Sequence, residues 1–203
     1  MKNPLLKIIL LVAALWLPCS AHAEKNILVF GDSLSAGYGI AIAESWSNLL
    51  QQELAHSHLK YRVINTSISG ETALGGRQRI AGTLQQYHPA IVIVELGAND
   101  GLRGFRVADI ETNLDEIIRA AKQSRARVLL VGMRLPPNYG ESYVMQFAGM
   151  YSKLAKKYRI RLLPFLLEGV APQQFQADNL HPNREAQPQL MRSVLKELKP
   201  LLH

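Results

Sequence analysis

Cysteine is almost missing from this chain. The only one, Cys19, falls in an amino-terminal leader, so the remainder can build neither a disulfide framework nor a thiolate metal site. Long hydrophobic runs are also missing. The apolar stretch Ile8 to Leu17 is too short to span a bilayer comfortably. Aromatic residues make up 7% of the chain, and the basic residues are scattered, with no basic block interleaved with aromatics; this argues against nucleic-acid binding. No P-loop, Gly-x-Gly-x-x-Gly or His-Glu-x-x-His occurs, which removes the commonest nucleotide and zinc signatures. Gly-x-Ser-x-Gly fails around Ser33 because Ser35 stands where the second glycine belongs, so an α/β-hydrolase elbow is not indicated. Neither metal nor cofactor is expected.

The leader itself has a signal-peptide pattern. Lys2 and Lys7 precede the apolar stretch, and Ala21-His22-Ala23 supplies small residues around a cleavage point after Ala23. Residues 1–23 are thus expected to be removed, and residues 24–203 to form one exported domain, periplasmic or secreted, with no stable membrane insertion. The net charge of +7 falls to +5 when Lys2 and Lys7 are left out. With no thiol, stability has to come from a packed core, and a chain of this size can bury one. A monomer is expected.

Short apolar runs at residues 26–30, 61–65, 90–96, 127–132 and 160–163 alternate with segments of helical spacing at 44–56, 72–86, 107–124 and 141–157. A last helix is expected over 184–198, with Pro188 close to its first turn. Strands such as Ile91-Val92-Ile93-Val94 are continuously apolar, as strands covered on both faces are. This β-α alternation predicts a parallel sheet between helical layers. Glycines and polar residues collect after the strands, so their chemistry meets along one rim.

The stretch Gly31-Asp32-Ser33-Leu34-Ser35 follows the first strand and places Ser33 on that rim. A serine hydroxyl needs a base, an oriented partner for the base, and donors for the oxyanion. Among the histidines beyond the leader, His56 and His58 end a polar helix, His88 precedes Pro89 at the opposite sheet edge, and His203 is terminal. His181 lies in a turn-rich stretch three residues after Asp178, within reach of its carboxylate. Ser33, His181 and Asp178 are therefore the candidate triad. The Ser33 and Gly70 N–H groups and the Asn99 amide are the candidate oxyanion donors, Gly70 because it permits close backbone approach. Asp32 and Asp100 are assigned structural hydrogen bonding, and Ser35 a capping role.

The blocks Gly-Asp-Ser-Leu-Ser, Ile-Ser-Gly-Glu-Thr, Gly-Ala-Asn-Asp and Asp-x-x-His-Pro, in this order, resemble the four blocks of the SGNH (GDSL) hydrolase family. The resemblance covers essentially all of residues 24–203. It implies a three-layer α/β/α sandwich with a flavodoxin-like five-stranded parallel sheet. It also implies Ser33 as nucleophile, Gly70 and Asn99 as oxyanion donors, and Asp178 and His181 as the rest of the triad. One departure is Ala98, where close relatives often carry a second glycine. Apolar loop residues Leu102, Phe105, Leu135, Pro136 and Tyr139 are expected to flank the site and suit an acyl chain. Fatty-acyl thioesters and esters, including lysophospholipids and aryl esters, are the substrates that the resemblance favours. A carbohydrate O-acetylesterase and a non-catalytic acyl-binding protein are the alternatives.

Overall fold

The computed structural model describes residues 24–202. The leader and its cleavage point after Ala23 lie outside the described residues, as does His203. Five parallel strands form the centre: β1 (Lys25–Gly31), β2 (Tyr61–Asn65), β3 (Ile91–Glu95), β4 (Arg127–Val131) and β5 (Arg161–Leu163). Their order is β2-β1-β3-β4-β5, the flavodoxin-like doubly wound arrangement. Ile27 to Phe30 of β1 and Ile91 to Val94 of β3 are fully buried, because helices cover both faces of the sheet.

On one face lie α2 (Trp46–His56) and α7 (Gln187–Leu198), packed on each other. On the other, α3 (Ala73–Tyr87) packs on α5 (Val107–Gln123), and α5 on α6 (Glu141–Tyr158). Helices α2 and α3 start where the sequence supplies a partner for the free amides of the first turn. Ser45 Oγ accepts from Asn48 N ahead of α2, and Thr72 Oγ1 from Gly75 N ahead of α3. Pro188 occupies the first turn of α7, where its missing N–H costs nothing; the helix begins later than the spacing alone suggests. The stripe Ile110, Leu114, Ile117, Ile118 and Ala121 is the buried face of α5, as its helical spacing requires.

Two short helices are new relative to the sequence reading: α1 (Ser33–Ala36) directly after β1, and α4 (Ala98–Leu102) directly after β3. Chain order reverses between β1 and β3, and their carboxyl ends open the crevice where such sheets bind ligands. In the register, Gly31 at the end of β1 pairs with Glu95 at the end of β3, so both short helices emerge side by side from that crevice.

Candidate active site

Asp32 caps α1. Its Oδ1 accepts the Leu34 N–H at 3.0 Å, and Gly37 closes the helix in a left-handed conformation. Ser33 is thereby fixed as the first helical residue, with its hydroxyl turned to the crevice. His181 Nε2 stands 2.9 Å from Ser33 Oγ, and His181 Nδ1 stands 2.6 Å from Asp178 Oδ2. Residues 148 positions apart in the chain are thus in hydrogen-bond contact.

The loop that delivers His181 is tied down locally. Asp178 Oδ1 accepts from the N–H groups of both Leu180 and His181. The chain reverses at Asn179, whose left-handed φ of 55° suits asparagine better than most residues. Gln176 N donates to His181 O, and Gln176 Nε2 reaches across to Tyr38 O, which couples this loop to the one after Ser33. The Tyr38 ring lies against the imidazole, centroids 4.6 Å apart. Donation from two amides and the imidazole holds the Asp178 carboxyl down at about 2. It is an anion throughout the range in which esterases work, and so it keeps the Nδ1 proton in place and leaves Nε2 free to accept from Ser33.

Asn99 sits in the first turn of α4, and its Nδ2 donates to Asp32 Oδ2 at 3.0 Å. An amide nitrogen carries two hydrogens, so a second remains for the cavity. Gly70 borders the same space with φ +79°. A Cβ at Gly70 would meet nothing closer than Arg103 Nη2 at 3.9 Å. The left-handed backbone at Gly70 favours glycine, and no protein atom crowds the position a Cβ would take. Asp100 Oδ2 accepts the Ala73 N–H at 2.8 Å, joining α4 to α3.

Ser35 does not cap a helix. It is fully buried, and its Oγ donates to Glu95 Oε2 at 2.7 Å; the Asp32 N–H also points to that oxygen, at 3.3 Å. Glu95 is fully buried as well. This carboxyl beneath the site was not foreseen. The available signal was a charge closing a strand that is otherwise wholly apolar.

A cavity of about 500 Å³ opens on Ser33, Gly70, Asn99 and His181. Its far wall is apolar: Leu102, Met133, Leu135, Pro136, Phe165 and Leu167, with Leu180 beside the histidine. Of the loop residues expected to flank the site, Leu102, Leu135 and Pro136 line this cavity, and Phe105 and Tyr139 lie outside its lining. Phe105 is exposed off the wall, and the Tyr139 hydroxyl donates to Leu102 O, so Tyr139 braces the loop from outside. Both follow strands at the right edge, but the turn rotates their side chains away. Tyr38, Met133, Phe165 and Leu167 went unread, since nothing in loop spacing says which apolar residue faces inward. Among the described residues no cluster of metal-ligating side chains occurs, and no helix is long and apolar enough to cross a membrane.

Residues 29–187 match the GDSL-like Lipase/Acylhydrolase family. Esterase TesA of Pseudomonas aeruginosa is 44% identical over 191 residues, which are 93% of this chain and 95% of that protein. Thioesterase 1/protease 1/lysophospholipase L1 of Escherichia coli is 43% identical over 185 residues, 90% of this chain and 88% of that one. Among solved structures, psychrotrophic esterase EstA from Pseudoalteromonas sp., inhibited by monoethylphosphonate, superposes with a TM-score of 0.84 at 36% identity, covering 88% of this chain and 99% of its own. With a family match that spans most of its length and relatives similar nearly from end to end, this chain belongs to the GDSL-like lipase/acylhydrolase family and is an ester-hydrolysing enzyme.

Proposed function

We propose that the enzyme hydrolyses esters and thioesters of extended acyl chains through an acyl-enzyme on Ser33. The observation that carries this reading is the apolar cavity of about 500 Å³ opening directly on the Ser33–His181 pair, a size and lining typical of sites that enclose hydrophobic ligands. An acetyl group would leave most of that wall uncovered, which disfavours a carbohydrate O-acetylesterase.

In this reading Ser33 Oγ attacks the acyl carbonyl carbon as its proton passes to His181 Nε2. The carbonyl oxygen becomes an oxyanion held by the Ser33 and Gly70 N–H groups and the Asn99 amide. The bond to the leaving oxygen or sulfur then breaks, and the imidazolium returns the proton to the departing alcohol or thiol. Water, deprotonated by the same imidazole, attacks the acyl-enzyme and releases the carboxylic acid and free Ser33. Asp178 stays ionised throughout and stabilises the imidazolium. The inhibition of the related EstA by a phosphonate fits this scheme, since a phosphonate offers a serine a tetrahedral centre. The names thioesterase and lysophospholipase borne by the E. coli relative support acyl thioesters and lysophospholipids as the first substrates to try.

A chain-length series tests the reading. Leu135→Ala removes wall surface remote from the carbonyl and should lower kcat/KM for long acyl esters by roughly tenfold, leaving acetyl esters little changed. Leu135 is buried, so Leu167→Ala, at a partly buried position on the same far wall, gives the same comparison at a smaller packing cost. Phe105→Ala should change neither class. Equal losses on short and long chains in both wall variants would exclude this cavity as the acyl site.

We also propose that residues 1–23 are an export signal cleaved after Ala23, on the strength of the Ala21-His22-Ala23 pattern. Protein recovered from outside the cytoplasm should begin at Glu24 by intact mass; retention of the leader would refute it.

A further inference from the structure

We propose that Glu95 carries a proton, donates it to the Asp32 carboxylate, and through Asp32 holds the Asn99 amide at the oxyanion position. Glu95 is a positioning residue in this arrangement. The inference rests on the reading of Asn99 as an oxyanion donor.

The geometry leaves few alternatives. Both carboxyls are completely buried, and the Asp32 N–H points to Glu95 Oε2 from 3.3 Å, which brings the two acids together. Two buried carboxyls can meet directly only if one supplies a proton. Asp32 already accepts twice, Oδ1 from Leu34 N and Oδ2 from Asn99 Nδ2. Both contacts need oxygens without a proton in the way, so Asp32 is the anion. Glu95 Oε2 also accepts twice, from Ser35 Oγ and Asp32 N. Glu95 Oε1, by contrast, has no donor aimed at it and no access to solvent. A bare carboxylate oxygen so placed would be an unpaired buried charge; as O–H it becomes the missing donor.

The register makes the room. Gly31 pairs with Glu95, and a Cβ on Gly31 would come within 2.6 Å of Glu95 Oε2 and 2.8 Å of Ser35 Oγ. The glycine before Asp32 is therefore the space into which the acid fits.

Electrostatics agree with the assignment. Burial and the neighbouring Asp32 charge push Glu95 well above the usual carboxyl range, whereas burial raises Asp32 only to about 6. At neutral pH the pair holds one proton, and it resides on Glu95. The other titratable groups whose charges reach the pair are His181, which favours the Asp32 anion, and the buried Tyr151, pushed upward first by burial and then by the pair and Asp100. Tyr151 donates to Leu96 O and not to either acid.

The test is Glu95→Gln against Glu95→Met, with Asn99→Ala beside them. A glutamine can keep Oε on Ser35 and Asp32 N while its amide donates to Asp32. It should therefore restore kcat to within about threefold of the parent at pH 7. Methionine fills the volume without donating and should lower kcat by about ten- to hundredfold with KM little changed, because the Asn99 amide is no longer held in place. At alkaline pH the parent should lose activity as Glu95 ionises beside Asp32, and Glu95→Gln should not. Infrared difference spectroscopy of the folded parent should show a protonated-carboxyl C=O band at pH 7 that is absent from Glu95→Gln, a readout independent of turnover. Stability gives a second independent readout. A raised pKa means that the parent loses stability as pH climbs from the ordinary carboxyl range toward the folded value, so Glu95→Gln should gain on the parent across that window.

A glutamine variant as impaired as the methionine one, or no infrared band, overturns the proton assignment. Normal kcat in Glu95→Met overturns the positioning role. If Asn99→Ala leaves kcat untouched, where a loss of roughly a hundredfold to a thousandfold is expected, the oxyanion reading itself falls, whereas the infrared and stability measurements still decide where the proton is.

Discussion

Ser33→Ala should lower kcat by about 10⁵- to 10⁶-fold, because a triad without its nucleophile retains only what binding and the oxyanion donors supply. The fold should be unaffected. Ser33 begins α1, where Asp32 provides the cap and alanine is a good helix former; the only side-chain hydrogen bond lost is the one to His181 Nε2. The expected change in stability is about 1 kcal/mol or less. A fluorophosphonate should label the parent stoichiometrically on Ser33 and leave the alanine variant unlabelled. The two measurements together discriminate. An active, folded Ser33→Ala protein would exclude the serine mechanism, and labelling retained in the variant would point to another nucleophile. A protein that merely carried acyl chains would bind them equally well with either residue and turn over neither.

Most of what positions that serine is legible in the chain. β3 is readable because a strand covered on both faces needs no polar alternation: Ile91 to Val94 is continuous, and Glu95 interrupts it at the carboxyl end. The stripe of α5 is readable because its buried side is one-sided over seventeen residues. The four residues of α1 give no period at all, so the segment after β1 reads as a turn, and Asp32, the actual cap, reads as merely structural. Side-chain direction in loops is the other gap. Leu135 and Phe105 are equally apolar and follow neighbouring strands, yet one is buried in the cavity wall and the other faces solvent. Their difference is set by the turn after β4 and by α4, and it arises only in the folded chain. Glu95 shows the same limit from the other side. A glutamate at a strand end is ordinarily a solvated charge, and only pairing with Gly31 buries it.

His181→Ala should cost kcat about as much as losing Ser33, and the double variant should fall no further. In a triad each member works only through the other, so the effects do not add. Among the described residues, His181 Nε2, 2.9 Å from Ser33 Oγ, is the base within hydrogen-bond reach of that hydroxyl. Asp32 faces Asn99 and Leu34 instead, and the proton of Glu95 is committed to Asp32. With the imidazole gone, the serine can be activated only by hydroxide, so residual activity should climb steadily with pH where the parent levels off. Asp178 acts through the ring. With its carboxyl held at about 2, its own contribution to stability is full above pH 4 and is lost as pH falls toward 2; it supplies no titration in the working range. Asp178→Asn should accordingly lower kcat by about 10⁴-fold by presenting a donor to Nδ1 and imposing the wrong tautomer. Stopped assays of the single and double variants from pH 5 to 10 decide the matter. A His181→Ala protein whose pH profile parallels the parent's would mean that the proton of Ser33 leaves by another route, and the 2.6 Å contact to Asp178 would then have to be read as no more than a pin for the loop.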